Sequence, residues 1–289
     1  MNYLSITYTI DDNIPSINEW LNDIYYCFHK IGMKWEESYD AMFTNMYNMY
    51  NTTPFHTQKR SLNVFHLGIG LFMDNNFIIH GTNTCEMNTY FIALLMYDLY
   101  QNQESTLNLE NLDLMHNIEV LVDILNKYEV LFDEHMFYKL LLLITNTTEL
   151  IENTDYIKTM EYHRHKQYVD FMKISVIGYM FYPWKEHKDH VYALKKETSK
   201  MEDIDVNVEI VEYIRTYVMP ILQSVRKYND TLYEVLFKLS NKNLNRWMTN
   251  TFLLEPSMPK KYIKLDISKK KSWYSKFKSL FSFTRKIKQ

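Results

Sequence analysis

The stretch NTTPFHTQKRSLNVFHL, residues 51–67, joins a polar loop to the start of an apolar helix. Pro54 restricts the backbone of the residue before it and marks a boundary between elements. After this boundary, apolar residues recur at helical spacing as far as Phe72. His56 stands in the loop, two residues after the proline. The stretch is therefore either the rim of a catalytic site or an ordinary loop that enters a core helix.

The composition of the whole chain favours helices. The chain has 289 residues, which is enough for a substantial core, and 46% of them are apolar. Only five are glycine, whereas hairpin-rich β folds and phosphate-binding loops need more, and neither common phosphate-loop motif is present. The two cysteines, Cys27 and Cys85, are too few for a disulfide framework and form no CxxC pair.

Helical spacing of apolar residues continues along most of the chain. Examples are KWEESYDAMFTNMYNMY, which ends at the loop before Pro54, and the strongly apolar CEMNTYFIALLMYDLYQN. No alternation typical of a β-strand persists beyond a few residues. We therefore predict an all-α protein in which residues 1–255 form one compact multi-helix domain and residues 256–289 form a tail.

The sequence also predicts a location for the protein. The N-terminus lacks the basic and apolar regions of a secretory signal, and no stretch approaches about 18 uninterrupted apolar residues. We expect a cytoplasmic protein, with peripheral membrane contact through the tail. Many Tyr, Asn, Ile and Lys residues with little Gly indicate an AT-rich genome, and for a viral protein the location would be the host cytoplasm.

Five motifs, in order from about residue 17 to residue 250, give the domain a resemblance to a known family. They are YNTTPFHTQKRSLNVFHL, FIALLMYDLYQN, DFMKISVIGYMFYPW, NVEIVEYIRTYVMPIL and NKNLNRWM. Each resembles a signature segment of the catalytic domain of class I cyclic-nucleotide phosphodiesterases, which are helical metal hydrolases of the HD superfamily. The resemblance implies the same multi-helix fold.

The resemblance also assigns the family's metal ligands to positions in this sequence. The two histidines and two aspartates fall on Arg60, Tyr97, Asp98 and Val176, called here the metal-ligand positions. Only Asp98 is a family ligand. Arginine has no lone pair for a metal, and valine has no ligand atom. One carboxylate does not hold a catalytic divalent ion against water, so we predict that the metal centre is lost and that the chain uses no metal or other cofactor.

Loss of the cation would leave Asp98 as a buried carboxylate, which is costly without a partner. Arg60 stands where a ligand contacted the same ion in the family. We therefore predict an ion pair between Arg60 and Asp98 that substitutes for the metal. By position, His56 matches the histidine that protonates the leaving oxygen, and it is predicted to be a relic of that general acid.

The nucleotide pocket of the family is also altered. Its base-reading glutamine falls on Asn207, its aromatic clamp on Ile210, and one histidine of the intervening helix on His116. We therefore predict a catalytically inactive pseudoenzyme that binds a protein partner. Two alternatives remain: sequestration of a cyclic nucleotide or dinucleotide without hydrolysis, and a metal-dependent phosphodiesterase rebuilt around His56, Asp98, His116 and a further ligand.

The tail has a charge opposite to that of the body. Residues 260–289 hold eleven Lys and Arg residues and one acid, Asp266, whereas the whole chain has a net charge of −3. On a helical wheel Trp273, Phe277, Leu280 and Phe281 lie on one side and Lys271, Lys278, Arg285 and Lys286 lie mostly opposite, whereas Lys276 and Lys288 lie near the apolar edge and blur the pattern. This pattern favours binding to an anionic membrane surface, with nucleic acid or the acidic body of the same chain as alternatives.

Four histidines in two short segments, YHRHKQY and WKEHKDH, raise the question of a metal site. They are His163, His165, His187 and His190. Their spacing alone is a weak signal for metal binding, and we interpret them as solvated side chains.

Overall fold

The computed structural model describes residues 14–50, 54–74, 84–102, 114–145, 160–198 and 206–253. Within these ranges the chain is helical and contains no β-strand, which confirms the all-α prediction. The α-helices are α1 (Ile17–Lys30), α2 (Glu37–Met49), α3 (Gln58–Asp74), α4 (Thr84–Asn102), α5 (Leu114–Lys127), α6 (Glu134–Thr145), α7 (Met160–Val176), α8 (Trp184–Thr198), α9 (Val206–Tyr213), α10 (Met219–Arg226) and α11 (Asp230–Leu253).

Local sequence signals set both ends of α1. Ser16 caps the first turn, and the Glu19 carboxylate accepts a hydrogen bond from the Ser16 backbone N–H at 2.7 Å. At the other end Gly32 has φ +75°, a left-handed conformation that favours glycine. The N–H of Met33 donates to the carbonyl of Phe28, which satisfies one of the last free carbonyls of the helix.

Helix α4 runs through the centre of the domain. Every side chain from Tyr90 to Leu99 is at least 98% buried, so no face of this segment reaches water. A helix that is apolar on all sides requires neighbours on all sides, and α3, α6, α5, α7 and α2 pack around it. Asp98 lies within this buried segment, which makes it the most deeply placed carboxylate of its helix.

Helix α3 approaches α4 closely through Gly68. A Cβ atom at this position would collide with the side chain of Leu94, which is itself fully buried. Gly70 lies in the same helix, but a Cβ there would meet no atom within 4 Å. Close packing therefore requires glycine at position 68, whereas at position 70 glycine only lowers the stability of the helix.

We predict opposite effects for alanine at these two positions. Alanine favours a helix over glycine by about 1 kcal/mol, so Gly70→Ala should raise the free energy of unfolding. In Gly68→Ala the collision with Leu94 should cost about 1–3 kcal/mol and cancel or reverse that gain. Urea unfolding of both variants measures the difference, and equal stabilisation by both would contradict the close contact between α3 and α4.

A short 3₁₀ turn, Gly178–Phe181, follows α7 and is held by α11. The Asn243 amide donates to the carbonyls of Met180 (3.1 Å) and Tyr182 (2.9 Å). Both bonds are buried, so they fix the direction in which the chain leaves α7. They thereby fix the end of α7, where Val176 lies.

A π-helical segment, Ile214–Val218, links α9 to α10. Pro220 explains the widened turn, because proline has no N–H to donate and crowds the carbonyl four residues earlier. The Met219 N–H instead donates to the carbonyl of Ile214. Tyr213, the last residue of α9, stacks on Tyr217 within this segment, with ring centroids 5.1 Å apart.

Candidate functional site

The fold brings three of the four metal-ligand positions into direct contact. Arg60 lies in the first turn of α3, Asp98 in the buried part of α4, and Val176 at the end of α7. The guanidinium of Arg60 forms an ion pair with the Asp98 carboxylate. Its Nη2 atom also donates to the carbonyl of Val176 at 3.0 Å. The predicted ion pair between Arg60 and Asp98 is therefore confirmed.

The ion pair is enclosed by protein. Arg60 is 4% exposed and Asp98 1% exposed, and the guanidinium lies over the Phe55 ring with its central carbon 4.3 Å from the ring centroid. Arginine keeps its charge in proteins, and aromatic faces stabilise such a cation. Because both charged groups are buried and have lost their hydration, each is stabilised by the opposite charge of the other.

Tyrosines surround the guanidinium. Tyr97, Tyr179 and Tyr182 lie close enough to interact electrostatically with Arg60, and Tyr213 interacts in the same way with Tyr179 and Tyr97. Burial raises the pKa of Tyr179 and of Tyr213 above the ordinary value of tyrosine. Their hydroxyls therefore stay neutral at physiological pH and supply no further negative charge to this region.

A divalent metal ion does not fit these four residues. The Asp98 carboxylate is already engaged by Arg60, and the fixed positive charge of Arg60 repels a second cation. Val176 offers no side-chain ligand, and its carbonyl accepts from Arg60. Tyr97 is 1% exposed and Val176 2% exposed, so neither presents a ligand atom to solvent or substrate.

His56 is paired with a residue that the sequence did not reveal. Its Nδ1 atom lies 2.6 Å from Oε1 of Glu197, in the last turn of α8. The other oxygen, Oε2, accepts from the backbone N–H groups of Phe55 (2.8 Å) and His56 (3.3 Å). Glu197 follows two lysines in a polar helix end, and this local pattern is typical of a solvated carboxylate. Only the fold brings it to His56.

The protonation of this pair follows from its burial. Burial lowers the pKa of His56, and the neighbouring Arg60 lowers it further, although Glu197 opposes the shift. Burial raises the pKa of Glu197, but its interactions with the His56 ring and with the backbone N–H groups of Phe55 and His56 together outweigh burial and lower the pKa. At neutral pH, a neutral imidazole therefore donates its Nδ1–H to a carboxylate. His56 is 7% exposed, so the alternative of an ordinary surface loop histidine is wrong.

The remaining predicted pocket residues are only partly described. Ile210 is buried in α9, and Asn207 is partly exposed in the first turn of the same helix. His116 lies in α5, but its side chain is outside the described residues. The tail residues of 256–289, from Lys271 to Lys286, are also outside them.

The interpretation of His187 as a solvated side chain is wrong. His187 is fully buried; its Nδ1 lies 2.9 Å from the carbonyl of Tyr179, and its Nε2 accepts from the Trp247 indole at 2.7 Å. These contacts require a neutral ring with its proton on Nδ1. Burial lowers the pKa of His187 to about 4.

His190 is also more enclosed than predicted. It is partly buried and stacks on Tyr179, with its Nδ1 2.8 Å from the carbonyl of Glu186. The side chains of His163 and His165 lie outside the described residues.

Comparison with known proteins identifies the fold through solved structures. No model of a known protein family matches this sequence, and no curated protein matches it. The phosphodiesterase domain of the RhoPDE fusion protein from the choanoflagellate Salpingoeca rosetta superposes with a TM-score of 0.63 at 13% identity, over 84% of this chain and 92% of that one. LmjPDEB1 in complex with IBMX superposes with a TM-score of 0.60 at 11% identity, over 87% and 91% of the two chains.

A third structure, the phosphodiesterase domain of Salpingoeca rosetta rhodopsin phosphodiesterase, gives a TM-score of 0.63 at 14% identity, over 88% of this chain and 91% of that one. Structural similarity at identities this low establishes a shared fold. The agreement extends over most of the chain and confirms the fold predicted from the five sequence motifs. This chain has the fold of the cyclic-nucleotide phosphodiesterase catalytic domain.

Proposed function

We propose that this chain is a catalytically inactive phosphodiesterase-like protein that acts by binding, with a protein as its partner. One observation carries the proposal: the guanidinium of Arg60 is buried against Asp98 and Val176, two of the positions that the resemblance assigns to metal ligands. A fixed charge of the same sign as a metal ion stabilises the remaining carboxylate, but it cannot deliver the chemistry of a metal.

The missing chemistry is the generation of a nucleophile. A catalytic divalent ion lowers the pKa of bound water and yields a hydroxide at neutral pH. A guanidinium has no coordination position for water and cannot do this. The His56–Glu197 pair remains in place, but it can only transfer or hold a proton. A proton donor for a leaving oxygen does not hydrolyse a phosphodiester without a nucleophile.

We expect no hydrolysis of cyclic AMP, cyclic GMP or cyclic dinucleotides above the rate of a protein-free blank. The assay should be run with Mg²⁺, Mn²⁺ and Zn²⁺ in turn, beside an active phosphodiesterase as the positive control. Turnover that depends on added metal and is abolished by His56→Ala would contradict the proposal and favour a rebuilt active site. The His56→Ala variant also excludes a contaminating enzyme as the source of any turnover.

The residues at the family's nucleotide-pocket positions, Asn207 and Ile210, favour binding of a protein over sequestration of a nucleotide. Ile210, at the aromatic clamp position, is buried and aliphatic, so it cannot stack on a base as an aromatic ring does. Asn207 has a shorter side chain than the base-reading glutamine. Equilibrium dialysis with radiolabelled cyclic nucleotides separates the two functions, because slow release of intact nucleotide would establish sequestration instead.

The basic tail supplies the second part of the proposal, contact with an anionic membrane surface. None of the described helices is long and apolar enough to cross a membrane. Interfacial binding through residues 260–289 therefore rests on the sequence pattern of aromatic and basic residues. Removal of these residues should abolish sedimentation with phosphatidylserine vesicles at low salt, and unchanged sedimentation would refute the membrane contact.

A further inference from the structure

Three side chains with metal-ligating atoms converge between α1 and α3. Asp23 and Cys27 are four residues apart in α1, so they share one face of the helix. His66 reaches them from α3, with its Nε2 atom 3.2 Å from Oδ1 of Asp23. One ligand atom from each of the three residues lies within 4.8 Å of the other two.

This cluster is separate from the Arg60–Asp98 pair. His66 follows Arg60 by six residues in α3, so the two side chains point about 120° apart around the helix. Arg60 faces α4 and the end of α7, whereas His66 faces α1. The two sites therefore share a helix but have no residue in common.

The donor atoms suit a transition metal. A thiolate, an imidazole and a carboxylate form a mixed set that Zn²⁺ accepts, whereas Mg²⁺ and Ca²⁺ prefer oxygen alone. Tetrahedral zinc places neighbouring ligand atoms about 3.3–3.6 Å apart. The His66 and Asp23 atoms are already 3.2 Å apart, close to this spacing, and all three ligand atoms lie within 4.8 Å of one another.

The cluster is open to solvent on one side, where an ion can enter, and is packed against protein on the other, where the ligands are held in position. The Asp23 side chain is 38% exposed, which leaves a route from solvent, whereas the His66 side chain is 14% exposed. Cys27 is largely buried at the packed side of α1 and forms no disulfide. Burial on one side and solvent on the other leave the fourth coordination position to water.

We propose that Asp23, Cys27 and His66 form a binding site for a divalent transition metal ion, with Zn²⁺ as the preferred ion. The bound ion joins α1 to α3 and strengthens the contact between the first helix and the core. In the chain without metal, the Nε2 atom of His66 contacts Oδ1 of Asp23, and binding of the ion replaces this contact.

Cobalt titration of the full chain, purified without metal under reducing conditions, tests the site directly. Co²⁺ bound to a thiolate gives a ligand-to-metal charge-transfer absorption, which reports the Cys27 sulfur and not the rest of the protein. We expect this absorption to saturate at one equivalent of Co²⁺ and to disappear when Zn²⁺ is added. Thermal unfolding should shift to higher temperature with one equivalent of Zn²⁺.

The two cysteines provide matched variants. Cys27→Ser should lose the charge-transfer absorption and the thermal shift, whereas Cys85→Ser, in α4, should keep both. His66→Gln should weaken binding of Co²⁺ while far-ultraviolet circular dichroism confirms that it is folded. Absence of the absorption in the wild-type chain, or its retention in Cys27→Ser, would overturn the proposal.

Discussion

The Asp98→Ala variant should have a free energy of unfolding about 3–5 kcal/mol lower than that of the wild-type chain. Asp98 is 1% exposed, and its carboxylate compensates the buried guanidinium of Arg60. Removing the carboxylate leaves a positive charge enclosed by Phe55 and several tyrosines, with no equivalent anion in its place. Urea unfolding monitored by circular dichroism measures the loss.

A double variant distinguishes the cost of an unpaired buried charge from the cost of lost packing. Arg60→Met with Asp98→Leu removes both charges and replaces them with apolar side chains of similar size. Its stability should return to within about 1–2 kcal/mol of wild type, because apolar replacement of a whole buried pair is often neutral. The hydrogen bond to the Val176 carbonyl is still lost and accounts for about 1 kcal/mol. A cost of less than about 1 kcal/mol for Asp98→Ala alone would contradict the buried pair.

His187 should make the protein sensitive to acid. Its pKa is about 4 in the folded chain, below the ordinary value of 6.5 for histidine. The unfolded chain therefore binds a proton more readily as the pH falls below about 6.5, while the folded chain resists it. The stability that a neutral His187 provides is complete above pH 6.5 and is lost progressively as the pH falls toward 4. Over this range the loss should reach roughly 3 kcal/mol.

The His187→Gln variant isolates this contribution. A glutamine amide can still donate to the carbonyl of Tyr179 and accept from the Trp247 indole, but it does not titrate. The free energy of unfolding of this variant should fall less between pH 7 and pH 4.5 than that of wild type. His56, whose pKa is also lowered, contributes with the same sign in both proteins. If the free energies of unfolding of the variant and of wild type fall equally over this pH range, the pKa of His187 is not lowered in the folded chain.

Much of the fold follows from the sequence because helical spacing and order survive when individual residues change. Pro54 and the apolar positions up to Phe72 place α3, and the uninterrupted apolar character of FIALLMYDLYQN indicates the central position of α4. The Arg60–Asp98 contact could also be predicted. A single carboxylate in a buried helix needs a positively charged partner. Among the residues that the resemblance assigns to the metal ligands, Arg60 is the only one with a positive charge.

The partners of the histidines were harder to predict. Glu197 lies 141 residues from His56 and carries no local signal of its role. His187 was misinterpreted because WKEHKDH is rich in charge. Yet His187, Val191 and Leu194 recur at helical spacing and all are buried, so its face of α8 could have been identified. The cluster of Asp23, Cys27 and His66 depends on two helices packing together, which spacing within one helix cannot show.

Tyr179, which lies beside Arg60, and its neighbour Tyr213 illustrate the same limit. Tyr179 lies in the 3₁₀ turn after α7 and Tyr213 at the end of α9. Their convergence depends on Asn243 holding that turn and on the π-helical segment before Pro220. A sequence with 24 tyrosines gives no reason to select these two.

Binding of Mn²⁺ tests the central claim, which is that the Arg60–Asp98 pair occupies the place of a catalytic metal. Mn²⁺ prefers carboxylate ligands and so reports an Asp98-based centre rather than the thiolate cluster of α1 and α3. Electron paramagnetic resonance of free Mn²⁺ in a titration with the wild-type chain gives the bound fraction. We predict no stoichiometric binding at Asp98. One equivalent of bound Mn²⁺ that persists in Cys27→Ser and disappears in Asp98→Asn would contradict the claim.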